Sequence, residues 1–168
     1  MKTVRLFAIL LAAFVCLSAC DEKTDTPAPP VENGAASGAP AQPPASRGTF
    51  AVAVDRIGDI PNPAEKQPIQ IKIDQNLDMS GWAVDEGAQS LAGTVDVVID
   101  GKPFPAVYGS DRPDVAAHFK NPELGKSGYT FSVAARGLGP GKHVLTVRPM
   151  TADKTKYSES NPITIEIR

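Results

Sequence analysis

The residue with the clearest capacity for covalent chemistry is Cys20, which ends the run Leu17-Ser18-Ala19-Cys20. This run follows an apolar stretch, Leu6 to Val15, that is too short to cross a bilayer stably. Two basic residues precede the apolar stretch. A basic start, a short apolar run and small residues before a cleavage point are typical of a secretory signal peptide.

The position of the cysteine indicates a particular class of signal peptide. A leucine three residues before Cys20, with Ser18 and Ala19 between, resembles the signal peptides of bacterial lipoproteins. The resemblance implies that a thioether lipid is attached to Cys20, that the signal (residues 1–19) is cut off between Ala19 and Cys20, and that the new N-terminus is acylated by a fatty acid such as palmitate. Several acyl chains, at about 0.8 kcal/mol per buried methylene, would hold the protein on a membrane. The alternative, an ordinary core cysteine on a buried helix, conflicts with Asp21 and the Pro-rich stretch that follows.

Cysteine usage and charge limit the remaining possibilities. The chain has two cysteines: Cys16 lies in the predicted signal and Cys20 is the predicted lipid site, so no disulfide is expected. Removing Lys2 and Arg5 from the 17 basic residues leaves 15 against 19 acidic residues, a formal net charge of −4. The charges are interspersed, which argues against binding to nucleic acid or to anionic lipid head groups.

The segment after the cysteine has the composition of a tether. Residues 20–48 are rich in Pro, Ala, Gly and small polar residues, with Val31 as the one large aliphatic side chain. Such a segment cannot bury enough apolar surface to offset its ordering entropy, so we expect a disordered linker. Stretched out, it would span at most roughly 90 Å. A spacer is the expected role, with docking of Pro43-Pro44 to a partner as the alternative.

Residues 49–168 are predicted to form one domain built from β-strands. Ile69, Ile71 and Ile73 alternate with polar residues, which is the pattern of a half-buried strand. Short strands at about ten-residue spacing, separated by turn residues, are typical of an antiparallel sandwich and not of an α/β sheet. The predicted strands cover residues 50–54, 69–73, 77–84, 94–100, 104–108, 129–133, 143–148 and 163–167.

Local signals predict one tight turn and one short helix. Asp100-Gly101 lies between two strands, and these residue types accept the positive φ angles of a two-residue hairpin. Pro113 suits a first helical position, and Pro122 bars continuation. We therefore expect one or two helical turns over residues 112–119, packed on an end or edge of the sandwich.

Five separated segments together resemble a bacterial immunoglobulin-like module. The resemblance implies an immunoglobulin-like sandwich and a non-catalytic role, but it implies no particular ligand. The two most distinctive motifs are Gly-Trp-Ala and Tyr-Gly-x-x-Arg-Pro-Asp-Val. In this sequence the segments are Ser80-Gly81-Trp82-Ala83-Val84-Asp85, Val98-Ile99-Asp100-Gly101, Tyr108 to Val115, Ser127-Gly128-Tyr129-Thr130-Phe131, and Gly141 to Val147.

Four residues of these motifs form the candidate binding surface: Trp82, Tyr108, Arg112 and Asp114. Trp82 could stack against a sugar ring, or it could fill the core. Tyr108 and the segment that follows it could present a binding edge. Alternatively, Arg112 and Asp114 could tie the short helix to nearby backbone groups.

The sequence offers no recognisable catalytic or metal site, so no cofactor is expected. His143 shares a strand face with Leu145 and is expected to be a satisfied core or rim histidine, while His118 lies in the predicted helix. No metal-ligand spacing and no Gly-x-Ser-x-Gly elbow occur. Four acidic residues near strand ends could bind calcium, although we expect them to be solvated side chains without a metal. They are Asp74, Asp78, Asp85 and Glu86.

The sequence therefore predicts a lipid-anchored cell-envelope protein, facing the periplasm or the exterior, with a non-catalytic binding or scaffolding module. The expected partners are the membrane, through the lipid, and an unidentified envelope protein or glycan. Asp21 directly after Cys20 resembles an inner-membrane retention signal, if the source has two membranes. The alternatives are a carbohydrate-binding module, a hydrolase with an unfamiliar site, and a subunit of a larger assembly. The oligomeric state does not follow from the sequence.

Overall fold

Two stacked β-sheets make up most of residues 46–168, which are the residues that the computed structural model describes. The predicted signal peptide, Cys20 and the tether as far as residue 45 lie outside the described residues. The strands are β1 (Ser46–Arg47), β2 (Phe50–Ile57), β3 (Ile60–Pro61), β4 (Ile69–Ile71), β5 (Asn76–Asp85), β6 (Ser90–Leu91), β7 (Thr94–Ile99), β8 (Lys102–Pro105), β9 (Val107–Ser110), β10 (Gly128–Ala134), β11 (Gly141–Met150), β12 (Lys156–Tyr157) and β13 (Ile163–Ile167). The helices are α1 (Pro113–Phe119) and α2 (Ala135–Leu138), with 3-10 turns at Pro63–Glu65 and Pro122–Lys126.

Sheet 1 is organised around β11. On one side β11 pairs antiparallel with β7, which pairs with the edge strand β8. On the other side it pairs with β13 and, at its end, with β12. Two parallel pairs complete the sheet, β13 with β4 and β12 with β1.

Sheet 2 has the order β3-β2-β5-β10-β9, with β6 pairing to the end of β5. Its ladders are antiparallel. The long strand β5 lies between β2 and β10, so it positions side chains at the middle of both faces.

The core lies between the two sheets, and the period-two alternation of the strands fills it. In β5, Leu77, Met79 and Ala83 are buried, while Asp78 on the opposite face is exposed. Sheet 1 contributes buried aliphatic side chains in the same way from β7, β11 and β13. Burial without disulfides therefore holds the described domain together.

The fold confirms the predicted immunoglobulin-like β-sandwich and the predicted hairpin. Asp100 and Gly101 have φ angles of 50° and 80°, and they connect Ile99 directly to its ladder partner Lys102. Positive φ at both central residues matches the twist of the flanking strands. The predicted helix over 112–119 is α1.

The structure also differs from the sequence prediction in several places. The strand predicted over 69–73 ends at Ile71, and the short strands β3, β6 and β12 were not predicted. The strand predicted over 104–108 breaks at Ala106, whose N–H donates to Val95 O (2.9 Å), so that β8 belongs to sheet 1 and β9 to sheet 2. Besides α1 there is a second short helix, α2. Two of the strand pairs are parallel. Ser46 and Arg47, assigned above to the tether, pair with β12, where the Arg47 guanidinium lies 5.7 Å from the Tyr157 ring centroid.

No helix within residues 46–168 is long and apolar enough to span a membrane.

Candidate functional site

The outer face of sheet 2 carries a small second cluster of apolar side chains beneath α1. Val84, Val115 and Leu124 are buried there. Trp82 lies at the border of this cluster, half-buried, with Phe119 packed edge-on against it (centroids 5.8 Å apart, 74° between planes). Trp82 therefore fills this outer cluster and does not enter the space between the sheets.

Local sequence explains why a helix covers this face. Pro113 occupies the start of α1, where its missing N–H costs nothing. Val115 and Phe119 are four residues apart, so they share one face and pack together on sheet 2. The helix ends because Lys120 adopts a left-handed conformation (φ 54°) and Pro122 follows soon after.

Arg112 crosses the outer face of sheet 2 and joins α1 to β2. Its Nε and Nη2 donate to the two carboxylate oxygens of Asp114 (2.9 and 2.7 Å). Its Nη1 donates to Asp55 Oδ2 (2.5 Å), 57 residues away in the chain. Asp55 is the extra residue of a β-bulge between Val54 and Arg56, and such bulges redirect a side chain.

The charges of this group stabilise one another. The hydrogen bonds to Asp114, with a further contribution from Asp55, raise the pKa of Arg112 despite its partial burial. The same guanidinium lowers the pKa of Asp114 to about 2, so this carboxylate is ionised at any physiological pH. The group carries two negative charges and one positive charge, with Asp114 largely exposed (64%) and Arg112 largely covered (20%).

Gly128 of β10 makes room for this arrangement. A Cβ there would lie 3.0 Å from Arg112 Cγ and 2.9 Å from Ser110 O. Packing thus explains the glycine of the Ser-Gly-Tyr motif, because a larger residue at position 128 would displace the arginine.

Tyr108 has a structural contact of its own. Its hydroxyl donates to Ala83 O (2.7 Å) and accepts from the N–H of Ala92 (3.1 Å). Burial raises the pKa of Tyr108 to about 12. The phenol therefore ties β9 to β5 and to the turn before β7, and it does not line the cleft described next.

A cleft of about 310 Å³ opens beside α1. Trp82 forms one wall, and α1 contributes Asp114, Val115, His118 and Phe119. The His118 ring is exposed and stands edge-on to Phe119 (centroids 5.0 Å apart). The cleft thus combines aromatic surface with an ionised carboxylate and an imidazole, groups that can contact the apolar and polar faces of one small ligand.

A second groove, of about 480 Å³, lies on the same face toward the start of β5. Asp78 and Ser132 join across it through a Ser132 Oγ donor to Asp78 Oδ1 (2.6 Å). Val107, 71% exposed, forms its edge. Arg56, Ser80 and Thr130 are its other polar lining residues.

His143 is a satisfied residue at the rim of the sandwich, as the sequence predicts. Its Nδ1 lies 2.6 Å from Asp100 Oδ2 and its Nε2 lies 3.1 Å from Gly139 O. The hydrogen bond with Asp100, opposed by burial, raises the pKa of His143. Burial alone would raise the pKa of Asp100, but the Val144 N–H and the His143 ring lower it.

The acidic residues considered for calcium lie apart from one another. Asp85 Oδ1 accepts the N–H of Ala88 (2.9 Å) in the β5–β6 turn, whereas Asp78 pairs with Ser132 at the other end of β5. Among residues 46–168 no group of three or more His, Cys, Asp or Glu side chains is placed to hold a metal ion.

The structure brings three of the four candidate residues together: Trp82 and Asp114 line the cleft, and Arg112 fixes Asp114. Sequence reasoning missed Asp55, because nothing local marks it as the partner of Arg112. It also did not name Phe119 as a member of the site, although the four-residue spacing from Val115 placed both on one helix face.

Comparison with models of protein families gives no match, and comparison with curated proteins gives none either. Solved structures share parts of the fold. The endo-β-1,4-mannanase of Thermotoga petrophila matches with a TM-score of 0.43 and 11% identity over 71% of this chain and 19% of that chain. Domains 4 and 5 of the S-layer protein SbsC match with a TM-score of 0.37 and 16% identity over 70% of this chain and 44% of that chain.

The fibronectin(III)-like modules of Clostridium thermocellum CbhA match with a TM-score of 0.34 and 16% identity, over 71% of this chain and 93% of that chain. This chain spans less than half of the length of the mannanase chain, and less than half of the length of the S-layer chain. At these scores the matches carry no information about ligand or activity.

Proposed function

We propose that this protein is a lipid-anchored cell-envelope protein whose β-sandwich is a non-catalytic binding module. The Trp82–α1 cleft is its recognition surface. The observation that supports this role is the rigid frame around the cleft: Arg112 fixes Asp114 by two hydrogen bonds and reaches β2 through Asp55. A preorganised surface loses little entropy when it binds.

The anchor and the tether would make a weak contact sufficient. A lipid on Cys20 confines the domain to one membrane face, and the linker lets it search the space nearby. Confinement of this kind raises the effective concentration of a partner without adding contacts. Because Asp21 follows Cys20, we place the protein at the inner membrane in a cell with two membranes.

Fatty-acid labelling tests the anchor. Cells that express the full chain and receive labelled palmitate should incorporate label into it, and Cys20→Ser should accumulate as an unlabelled precursor. Cys16→Ser is the matched control and should remain labelled, because its thiol lies within the removed signal. Equal labelling of the Cys20→Ser chain would contradict the proposal.

The second candidate function is carbohydrate binding, which the cleft chemistry favours. A pyranose ring presents an apolar face to an aromatic side chain and hydroxyl groups to a carboxylate, and Trp82 and Asp114 supply both groups within one cleft. Arg112 does not line the cleft, and its part in such binding is to hold Asp114 in place.

Trp82 is the single tryptophan of the chain, so its fluorescence reports on the cleft. Titrating the detergent-solubilised full chain with envelope polysaccharides should change this fluorescence, and Asp114→Asn should weaken the response. Asp59→Asn, an exposed carboxylate outside the cleft, serves as the control. A flat signal with glycan in excess would remove the carbohydrate candidate and leave the anchored module in place.

A further inference from the structure

The Trp82–α1 cleft presents negative charge to whatever enters it. Its lining residues are Trp82, Asp114, Val115, His118 and Phe119. Asp114 is the one carboxylate among them, and no lysine or arginine of residues 46–168 lines the cleft. The hydrogen bonds from Arg112 hold the pKa of Asp114 at about 2, so its negative charge persists at physiological pH.

Arg112 does not cancel this charge. Its guanidinium is shared between Asp55 and Asp114, so the three groups together carry one net negative charge. The arginine is largely covered, whereas the carboxylate of Asp114 is largely exposed. The part of this group that a ligand can reach is therefore its negative end.

The aromatic rings give the cleft the same preference. Trp82 forms one wall, and Phe119 lies edge-on to it with ring centroids 5.8 Å apart. The face of an aromatic ring attracts a cation placed over it, and tryptophan does so most strongly. A tryptophan and an ionised carboxylate in one cleft are thus a combination that suits an organic cation.

We propose that the cleft selects a protonated amine carried on a sugar ring, so that the ligand is a glycan with free amino groups. This inference rests on the carbohydrate candidate above and names its substrate class. The ammonium group donates a charge-assisted hydrogen bond to Asp114, and the apolar face of the ring packs on Trp82. His118, which is exposed on the same helix, contacts a hydroxyl group through a ring nitrogen.

Other ligands fit less well. An anionic sugar would bring a second negative charge to Asp114, and a neutral sugar would gain no attraction from it. A linear amine, such as a lysine side chain or the ethanolamine of a lipid head group, has no ring to cover Trp82. The cleft volume of about 310 Å³ lies at the small end of the range for ligand pockets, which suits a single ring.

Two oligosaccharides that differ only at the amino group test the proposal. Glucosamine oligomers and N-acetylglucosamine oligomers of equal length are titrated into the detergent-solubilised full chain at neutral pH, with Trp82 fluorescence as the signal. The glucosamine oligomers should bind about tenfold more tightly, and added salt should reduce this preference. Equal affinities, or tighter binding of the N-acetylated form, would overturn the proposal and leave the carbohydrate candidate in place.

Substitutions within α1 locate the preference. Asp114→Asn keeps the shape of the side chain and should make the two oligomers bind alike. His118→Lys adds a positive charge to the cleft without removing a contact of Arg112, and it should weaken binding of the glucosamine oligomers. Ala117→Lys, exposed on the same helix outside the cleft, is the matched control and should bind them as the unsubstituted chain does. Unchanged binding by a folded His118→Lys chain would contradict the placement of the amine.

Monomeric amines separate a sugar from other carriers of an ammonium group. Glucosamine should bind more tightly than ethanolamine and more tightly than lysine. Equal or tighter binding of ethanolamine or lysine would assign the cleft to a lipid head group or to a peptide and reject the glycan. A chain that responds to an envelope polysaccharide but to none of these amines would remove the amine inference alone. The anchor is tested separately by the labelling of Cys20.

Discussion

At the scale of single residues, Arg112 matters most because it links three elements. Its guanidinium holds α1 through Asp114 and the β2 bulge through Asp55, and its side chain packs over Gly128. The sequence leaves two roles open for this arginine, a structural tie and a binding group. The geometry supports the tie, because three of its donors are occupied within the protein.

Replacement of Arg112 by Ala should lower the free energy of unfolding by about 2 kcal/mol, because Asp55 loses a charged hydrogen bond in a half-buried position. Urea denaturation measures the loss. Arg168→Ala is the matched control: its guanidinium, paired with Glu166, is largely exposed (68%), and its removal should change stability little. Unchanged stability of Arg112→Ala together with lost ligand binding would assign Arg112 to recognition alone.

The pair formed by His143 and Asp100 should make stability depend on pH. The raised pKa of His143 gives stability that is fully present below its unfolded value, about 6.5, and is lost as pH rises through the folded value. The lowered pKa of Asp100 gives stability that is present above its unfolded value of 3.8 and is lost as pH falls through the folded value. The pair therefore contributes most between these limits.

Urea midpoints measured from pH 6 to pH 8.5 should fall with rising pH in the unsubstituted chain and fall less in His143→Gln. His118→Gln, an exposed histidine, should keep the slope of the unsubstituted chain. An identical slope in the His143→Gln chain would show that the ion pair does not contribute.

At the scale of elements, β5 decides how both faces of sheet 2 are filled. Gly81 lies at its centre, where Tyr129 Oη passes above it to donate to Ala53 O (2.9 Å). A Cβ at Gly81 would overlap the Ala53 carbonyl oxygen and lie 2.5 Å from Tyr129 Oη. The Gly-Trp-Ala motif thus begins with a glycine for reasons of packing between neighbouring strands.

Gly81→Ala should destabilise the domain by about 3 kcal/mol, because the strands must move apart or the tyrosine must give up its hydrogen bond. Thermal unfolding followed by circular dichroism measures the effect. Gly137→Ala in α2 is the control, since nothing lies within 4 Å of its added methyl group, and alanine favours a helix. Equal melting temperatures for the two variants would contradict this account of Gly81.

At the scale of the whole molecule, the two apolar clusters share one strand. Ala83 of β5 belongs to the cluster between the sheets, and Val84 and Trp82 belong to the cluster beneath α1. A strand common to both clusters cannot leave one without disturbing the other. The described domain should therefore unfold in one cooperative step.

Trp82 fluorescence reports the outer cluster, and far-ultraviolet circular dichroism reports both sheets. The two signals should change with the same midpoint in thermal unfolding, as two-state behaviour requires. A fluorescence transition at lower temperature would show that α1 and its cluster detach first, and that the cleft is less rigid than its hydrogen bonds indicate.

The sequence by itself determined the all-β class, the hairpin at Asp100-Gly101 and the span of α1. Each of these follows from local rules: alternation with a period of two, residues that accept positive φ, and prolines at the limits of a helix. The prediction for Cys20 also comes from a local pattern, and it awaits the labelling experiment. The predicted tether was corrected at its end, because Ser46 and Arg47 pair with β12. The side chains chosen from the motifs, Trp82 and Asp114, do meet in one cleft.

Only the tertiary structure decided which sheet each strand joins and which residue Arg112 reaches. Alternation states that a side chain points in or out, but it does not distinguish sheet 1 from sheet 2, so the break at Ala106 between β8 and β9 left no local sign. Asp55 and Arg112 are 57 residues apart, and their contact depends on a bulge in β2 that redirects one carboxylate. Local sequence sets the conformation of a segment, whereas the packing of the two sheets sets which distant segments become neighbours.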